Sequence, residues 1–143
     1  MYQLTVEQHF DSAHFLAGYV GKCRNIHGHR WRVVLHVQSE ELRTDDQCRG
    51  MCVDFSTLKE ELGEIVKDYD HTLLIERGSL KQKTMEALAE EEFSVMELPF
   101  RPTAENLAKH FYDLVTERGY DVVQVEIYET PNNLATYYVG GVG

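Results

Sequence analysis

Two histidines separated by a single glycine, His27 and His29, are the strongest chemical signal in the sequence. Residues i and i+2 of a β-strand point to the same side, roughly 7 Å apart along the backbone, so their imidazoles can bind one ion. Gly28 between them leaves the opposite face without a side chain. The same pattern also occurs in polar surface strands, so alone it indicates either a metal site or a solvent-exposed pair.

His14 is the best candidate for a third metal ligand. It ends the first predicted strand and shares the alternation of Val6 and Phe10, which places it on the mainly apolar face. Three protein ligands with a fourth position open to water or substrate are typical of catalytic zinc. A partly desolvated ion would polarise a bound oxygen strongly. The residues therefore predict a zinc site formed by His14, His27 and His29.

Cys23 lies shortly before the histidine pair, between Lys22 and Arg24. A thiol near positive charge is acidified and becomes a competent base or nucleophile. Cys23 could instead be a fourth metal ligand in a closed structural site, or an inert loop thiol. The spacing alone does not choose among these three interpretations.

The acidic residues with a possible chemical role each have a structural alternative. Asp70 can orient the adjacent His71 for acid–base chemistry, or the pair could simply end a helix favourably. Glu129 ends an apolar strand, where a carboxylate needs a partner. That partner is either a ligand with two N–H donors or an internal arginine. Glu105, in the first turn of a helix that Thr103 can cap, fits a helix-dipole residue.

Hydrophobic periodicity predicts the elements that must position these residues. Alternation with a period of two predicts strands that end at residue 14 and that cover 27–37, 122–129 and 134–139. Helical spacing predicts a helix after Asp54-Phe55-Ser56, with Thr57 and Glu60 as a capping box, and another after Thr103. Between them, 80–92 is a predicted helix and 93–98 a predicted short strand. This order predicts an α+β fold, an antiparallel sheet with helices packed on one side.

Composition narrows the class of protein. The chain has 143 residues, which fits one domain. Its net charge of −10 argues against nucleic acid as a partner. No apolar run approaches a membrane span, and the first residues lack a signal-peptide pattern, so we expect a cytoplasmic protein. Three cysteines are too few for a disulfide framework; Cys48 in a polar loop and Cys52 in a predicted strand (51–53) favour inert thiols over a shared metal.

Six segments in this order carry a family resemblance: FDSAH (10–14), CRNIHGH (23–29), GMCVDF (50–55), DH (70–71), PTAEN (102–106) and ETP (129–131). Together they resemble the 6-pyruvoyl-tetrahydropterin synthase family, and within it the bacterial 6-carboxy-5,6,7,8-tetrahydropterin synthase branch of the queuosine pathway. The short gap between Cys23 and His27 favours the bacterial branch. Ile75, where the family often has asparagine, and the long segment 76–100 depart from the pattern; we expect that segment to be a peripheral insert or a subunit contact.

The resemblance implies a tunnelling fold: one domain over 1–143 with a four-stranded antiparallel sheet and two main helices. Subunits would form trimers that stack into hexamers, with active sites between subunits. The implied roles are zinc binding by His14, His27 and His29, a general base at Cys23, an acid–base pair at Asp70 and His71, pterin binding by Glu129 with Glu105 and Thr103 nearby, and triphosphate binding by Lys22 and Arg24.

The implied substrate is 7,8-dihydroneopterin triphosphate, a small molecule converted to 6-carboxy-5,6,7,8-tetrahydropterin with loss of triphosphate and acetaldehyde. Two alternatives remain open. One is 6-pyruvoyl-tetrahydropterin synthesis, in which triphosphate is eliminated without carbon–carbon cleavage. The other is a module that binds zinc or pterin without catalysis.

Overall fold

The computed structural model describes residues 1–140. Within that range the chain forms six β-strands and three α-helices, plus one turn of 3-10 helix at Lys22–Arg24. In chain order the main elements are β1 (Tyr2–His14), β2 (His27–Ser39), α1 (Phe55–Val66), β3 (Thr72–Glu76), α2 (Gln82–Glu90), β4 (Val95–Leu98), α3 (Ala104–Glu117), β5 (Val122–Thr130) and β6 (Asn133–Tyr138). The predicted α+β class is confirmed, and the last three residues of the predicted domain lie outside the described range.

All six strands belong to one sheet in the order β4-β3-β1-β2-β5-β6. Four of the predicted strands, β1, β2, β5 and β6, are neighbours and pair antiparallel. The prediction of a four-stranded antiparallel sheet is nevertheless wrong, because β3 pairs parallel to β1 and β4 pairs parallel to β3. Backbone groups on the outer side of β1 need hydrogen-bond partners, and β3 supplies them at Ser12–His14.

The hydrophobic core lies between the sheet and the helices α1 and α3. Phe10 on β1 stacks on Trp31 of β2 with ring centroids 6.0 Å apart, and Phe111 of α3 packs edge-on to Phe10 at 5.8 Å. Both main helices bury an apolar face in this core, whereas α2 has no buried residue. The segment 76–100 is therefore only partly peripheral: α2 is exposed, but β4 is an edge strand of the sheet.

The predicted capping residue is correct for one main helix and wrong for the other. Thr103 caps α3 as predicted, and its hydroxyl accepts the Asn106 N–H at 3.1 Å. The capping box at Thr57 is wrong: Asp54 caps α1 and accepts the Ser56 N–H at 2.8 Å. The predicted strand at 51–53 is irregular chain. Among the described residues, none of the helices combines the length and the apolar composition that crossing a bilayer requires.

Candidate functional site

The register of β1 and β2 brings the three histidines together. His14 lies opposite His27 and Ser12 lies opposite His29 in this antiparallel pair. Directly opposed residues share a face of the sheet, and so do His27 and His29, which are two residues apart. The ring centroids are 4.5 Å apart for His14–His27, 5.0 Å for His14–His29 and 4.9 Å for His27–His29.

Glu129 completes this cluster from the end of β5. One potential ligand atom from each of the four residues lies within 4.8 Å of the others. Glu129 Oε1 is 3.0 Å from His29 Nε2 and 3.9 Å from His14 Nε2. Within residues 1–140 it forms no ion pair with an arginine, so that interpretation of Glu129 is wrong. Its place beside the histidines was missed, although it shares the alternation of Val125 and Ile127, which are buried.

Backbone carbonyls orient two of the histidines. The Nδ1–H of His14 donates to the Pro102 carbonyl at 2.7 Å, and the Nδ1–H of His27 donates to the Asn25 carbonyl at 2.7 Å. Each ring therefore keeps the lone pair of Nε2 free, which is how metal-binding histidines are normally held. His14 Nε2 is buried without a hydrogen-bond partner among the described residues, and the buried His29 Nε2 lies 3.0 Å from the Glu129 carboxylate without the geometry of a hydrogen bond. A cation would satisfy both lone pairs, so the cluster fits a metal ion.

The surroundings of His14 and His29 favour neutral rings at these two residues. His14 is 1% exposed, and the ring of Trp31 lies 5.0 Å from it and 5.3 Å from His29. Burial lowers the pKa of His14 and also the pKa of His29, although the Glu129 carboxylate opposes the shift in both. Only the neutral ring can bind a metal, so desolvation prepares these side chains as ligands.

Cys23 lies on the short loop that joins β1 to β2, in the 3-10 turn. The Leu16 N–H donates to the Cys23 carbonyl at 3.0 Å, which ties the loop to the end of β1. The thiol is half-buried, and all three cysteines are free. Cys23 does not belong to the group of potential metal ligands found among the described residues. The neighbouring Lys22 and Arg24 are exposed, and neither forms an ion pair within residues 1–140.

Asp70 and His71 form a hydrogen-bonded pair on the turn before β3. His71 Nδ1 is 2.9 Å from Asp70 Oδ2, and Asp70 Oδ1 accepts the Asp11 N–H at 2.8 Å. The Asp11 N–H is the main cause of a lowered Asp70 pKa, with smaller contributions from His71 and Arg30. The His71 side chain is 78% exposed. No hydrogen bond or ion pair in the described part of the chain joins this pair to Cys23.

Thr103 and Glu105 lie at the start of α3, next to the carbonyl that holds His14. The Thr103 hydroxyl is occupied by helix capping, and Glu105 is an exposed residue of the first helical turn. Neither residue forms an ion pair or a side-chain hydrogen bond with the histidine cluster. The structure therefore brings this segment close through Pro102, without joining its side chains to the cluster.

A cleft of about 450 Å³ opens beside the histidine cluster. His29 and Glu129 lie at one end of it, and Gly28 leaves part of the wall without a side chain. Arg30 and Arg32 also line it; the Arg32 guanidinium lies 3.8 Å from the centre of the Tyr128 ring. These arginines have no role that the sequence predicts, because their type and spacing on the outer face of β2 resemble ordinary surface charge.

A family model described as 6-pyruvoyl tetrahydropterin synthase matches residues 3–139. Curated relatives are named 6-carboxy-5,6,7,8-tetrahydropterin synthase. The protein of Haemophilus influenzae is 29% identical over 140 residues, with 96% of this chain and 99% of that protein covered. The protein of Bacillus subtilis is 33% identical over 143 residues, covering 95% and 84%. That of Synechocystis is 39% identical over 98 residues, covering 68% and 76%.

Solved structures share the fold. An uncharacterized protein from Wolinella succinogenes aligns with a TM-score of 0.79 at 24% identity, over 96% of this chain and 97% of that chain. The 6-pyruvoyl tetrahydropterin synthase of Caenorhabditis elegans aligns with a TM-score of 0.64 at 23% identity, over 98% of each chain. At these identities the likeness concerns the fold alone.

Proposed function

Because the chain belongs to the 6-pyruvoyl tetrahydropterin synthase family, we propose that it is a zinc-dependent lyase of queuosine biosynthesis. Its substrate is 7,8-dihydroneopterin triphosphate, which reacts with one water molecule, and its products are 6-carboxy-5,6,7,8-tetrahydropterin, triphosphate and acetaldehyde. The observation that carries the proposal is the partly buried cluster of His14, His27, His29 and Glu129. The names of the curated relatives support the choice of product.

The donor set of the cluster supports zinc as the metal. Imidazole nitrogens are common zinc ligands, and three histidines with an open fourth position are typical of catalytic sites. A bound zinc ion would act as a Lewis acid on the hydroxyls of the substrate side chain and acidify the neighbouring C–H bond. His14, His27 and His29 would hold the ion, while Pro102 and Asn25 keep two of the rings in orientation through their carbonyls.

Of the remaining site residues, some bind the substrate and the others transfer protons. Glu129 accepts the two N–H groups of the amino-pyrimidine, because a carboxylate offers two oxygens to paired donors. The Cys23 thiolate removes the proton of the substrate side chain, and Lys22 and Arg24 beside it attract the triphosphate. His71, oriented by Asp70, moves protons as triphosphate leaves and the side chain tautomerises.

We also propose that the active site is shared between subunits of a homohexamer built from two trimers. Support comes from the geometry of one chain: His71 is largely exposed, and among the described residues no hydrogen bond or ion pair joins it to Cys23. Cys23→Ala and His71→Ala are each expected to be inactive with zinc retained. Co-expression of the two should restore part of the activity, since mixed oligomers contain some intact sites. Mixed oligomers without any recovered activity would contradict the shared site.

The experiment that tests the function is incubation with 7,8-dihydroneopterin triphosphate, with product masses and acetaldehyde measured together. We expect the 6-carboxy product and acetaldehyde in equal amounts. A 6-pyruvoyl product without acetaldehyde would establish the other family reaction. Binding of the substrate without consumption, by protein with a full zinc content, would instead indicate a non-catalytic pterin-binding module.

A further inference from the structure

The backbone carbonyl of Tyr69 accepts hydrogen bonds from two hydroxyl groups. Thr72 Oγ1 donates to it at 2.7 Å, and the Ser12 hydroxyl donates to the same oxygen. Ser12 and Thr72 lie opposite each other in the parallel pairing of β1 with β3, and Ser12 is only 5% exposed. Two donors on one carbonyl use both of its lone pairs. They fix the plane of the peptide that leads directly into Asp70.

The backbone of Asp11 holds the next two residues. Its N–H donates to Asp70 Oδ1 at 2.8 Å, and its carbonyl accepts the His71 N–H at 2.6 Å. His71 has a φ of 58°, a left-handed conformation that is uncommon for residues other than glycine. Such a conformation persists when the surrounding contacts determine it. The contacts to β1 do so here, although the His71 side chain itself is exposed to solvent.

The side chain of Tyr69 anchors the same turn to the core. Its hydroxyl is 2.6 Å from His110 Nε2 on α3, and its ring packs edge-on to Phe111 with centroids 5.0 Å apart. Burial raises the pKa of Tyr69 to about 12 and lowers the pKa of His110. The pair is therefore a neutral hydrogen bond, in which the tyrosine hydroxyl donates to the imidazole. The carbonyl and the ring of Tyr69 thus attach the turn to β1, β3 and α3.

We propose that Ser12 and Thr72 are positioning residues that hold the Asp70–His71 pair in its proton-transfer geometry. The inference rests on the proposed function in one respect, that Asp70 and His71 transfer protons. Displacement of a reacting group by about 1 Å can cost 10²-fold in rate, so two hydroxyls at the base of this turn can control turnover without touching the substrate. Ser12 also precedes His14 on the same strand, and β1 therefore positions both the metal ligand and the acid–base pair.

The test compares Thr72→Val with Thr72→Ser. Valine has nearly the shape of threonine without a hydroxyl, whereas serine retains the donor. We expect Thr72→Val to lower kcat by about 10-fold and Thr72→Ser to restore most of it, with KM and zinc content unchanged in both. Combining Thr72→Val with Ser12→Ala should extend the loss toward about 100-fold, because both donors to Tyr69 are then gone.

Thr5→Val is the matched control. The Thr5 hydroxyl lies on the same sheet and pairs with His36 Nδ1 at 2.9 Å, at the other end of β1. Its removal is expected to leave kcat unchanged. If Thr72→Val keeps normal kcat, or if Thr72→Ser loses as much as Thr72→Val, the hydroxyl has no positioning role.

A measurement independent of turnover separates this inference from the proposed function. In zinc-loaded protein, Thr72→Val should accelerate hydrogen exchange at the Asp11 and His71 amides, and the Asp70 pKa should rise toward its ordinary value. The charged groups around that carboxyl, His71 and Arg30, are unchanged in the variant. Unaltered exchange and an unaltered Asp70 titration would overturn the positioning role whatever the substrate. A wild-type protein that fails to consume the pterin triphosphate would overturn only the proposed function.

Discussion

The histidine cluster and the Asp70–His71 turn lie at the ends of neighbouring strands but are built in different ways. In the cluster, His14 is 1% exposed, and the three histidines converge because the register of β1 and β2 places them on one face of the sheet. On the turn, His71 is 78% exposed, and its geometry comes from hydrogen bonds to backbone groups of β1. One region is ordered by packing, and the other by directional bonds at the surface.

This difference predicts how each region responds to the loss of a side chain. Burial lowers the pKa of His14 and so favours its neutral ring, the form that can bind a metal, in surroundings of low dielectric constant. The turn remains in contact with water, where a charged pair is screened and contributes little stability by itself. The hydrogen bonds of the turn serve to orient the Asp70–His71 pair. Removal of a side chain should therefore affect metal content in the first region and proton transfer in the second.

The largest effect is expected when a ligand of the cluster is removed. His29→Ala should lower zinc affinity by more than the roughly 10–100-fold that loss of an outer-shell partner costs, and activity should disappear with the metal. Elemental analysis after chelator competition measures it. His36→Ala, on the opposite face of the same strand, is the control and should keep its zinc. If His29→Ala retained its full zinc content, metal content would not depend on the histidine cluster, and the proposed difference between the two regions would be wrong.

A smaller effect is expected from Asp70→Asn. Asparagine can still accept the Asp11 N–H through its side-chain oxygen, but it no longer stabilises a protonated His71. We expect kcat to fall by about 10²–10⁴-fold, the usual contribution of acid–base catalysis, with normal zinc content. Steady-state kinetics measures the fall in kcat, and metal analysis measures the zinc content. The exposed neighbour Asp68→Asn should behave as wild type. Zinc loss in Asp70→Asn would mean that the two regions are not separable.

The smallest effect concerns the titration of Asp70. Its pKa is lowered mainly by the Asp11 N–H, so its carboxylate should persist below the ordinary value of about 3.9. A carboxyl with a lowered folded-state pKa stabilises the fold above its unfolded pKa, and this contribution is lost as pH falls through the folded value. Carboxyl NMR against the unfolded chain measures the shift. A midpoint at or above the unfolded value would mean that hydrogen bonds to β1 do not order the turn.

The convergence of the three histidines could be predicted from the sequence because it depends on alternation. The parity of Val6, Phe10 and His14 is sufficient to place His14 on the buried face, and the spacing of His27 and His29 does the same for β2. Glu129 has the same kind of signal on β5. Its closeness to the histidines could not be predicted, because it depends on the pairing of β5 with β2.

The parallel strands and the turn were harder to predict for a physical reason. Residues 73–75, Leu-Leu-Ile, show no alternation, and the parallel partner of such a short run is chosen by tertiary contacts. The adjacency of Asp70 and His71 is visible in the sequence. Their attachment uses backbone groups of Asp11, and backbone groups are the same at nearly every residue, so residue type cannot reveal it.

The long β1–β2 pairing has a consequence for how the protein matures. The two strands pair over thirteen consecutive residues, from Tyr2 with Ser39 to His14 with His27. A slip of one residue would turn one strand's ligands to the other face, so a misregistered chain could not assemble the ion site. If the site takes up an ion as proposed, the uptake would withdraw only correctly paired molecules from the folding population and would so act as a proofreading step. At an ion concentration a hundred times Kd, this bias amounts to about 2.7 kcal/mol.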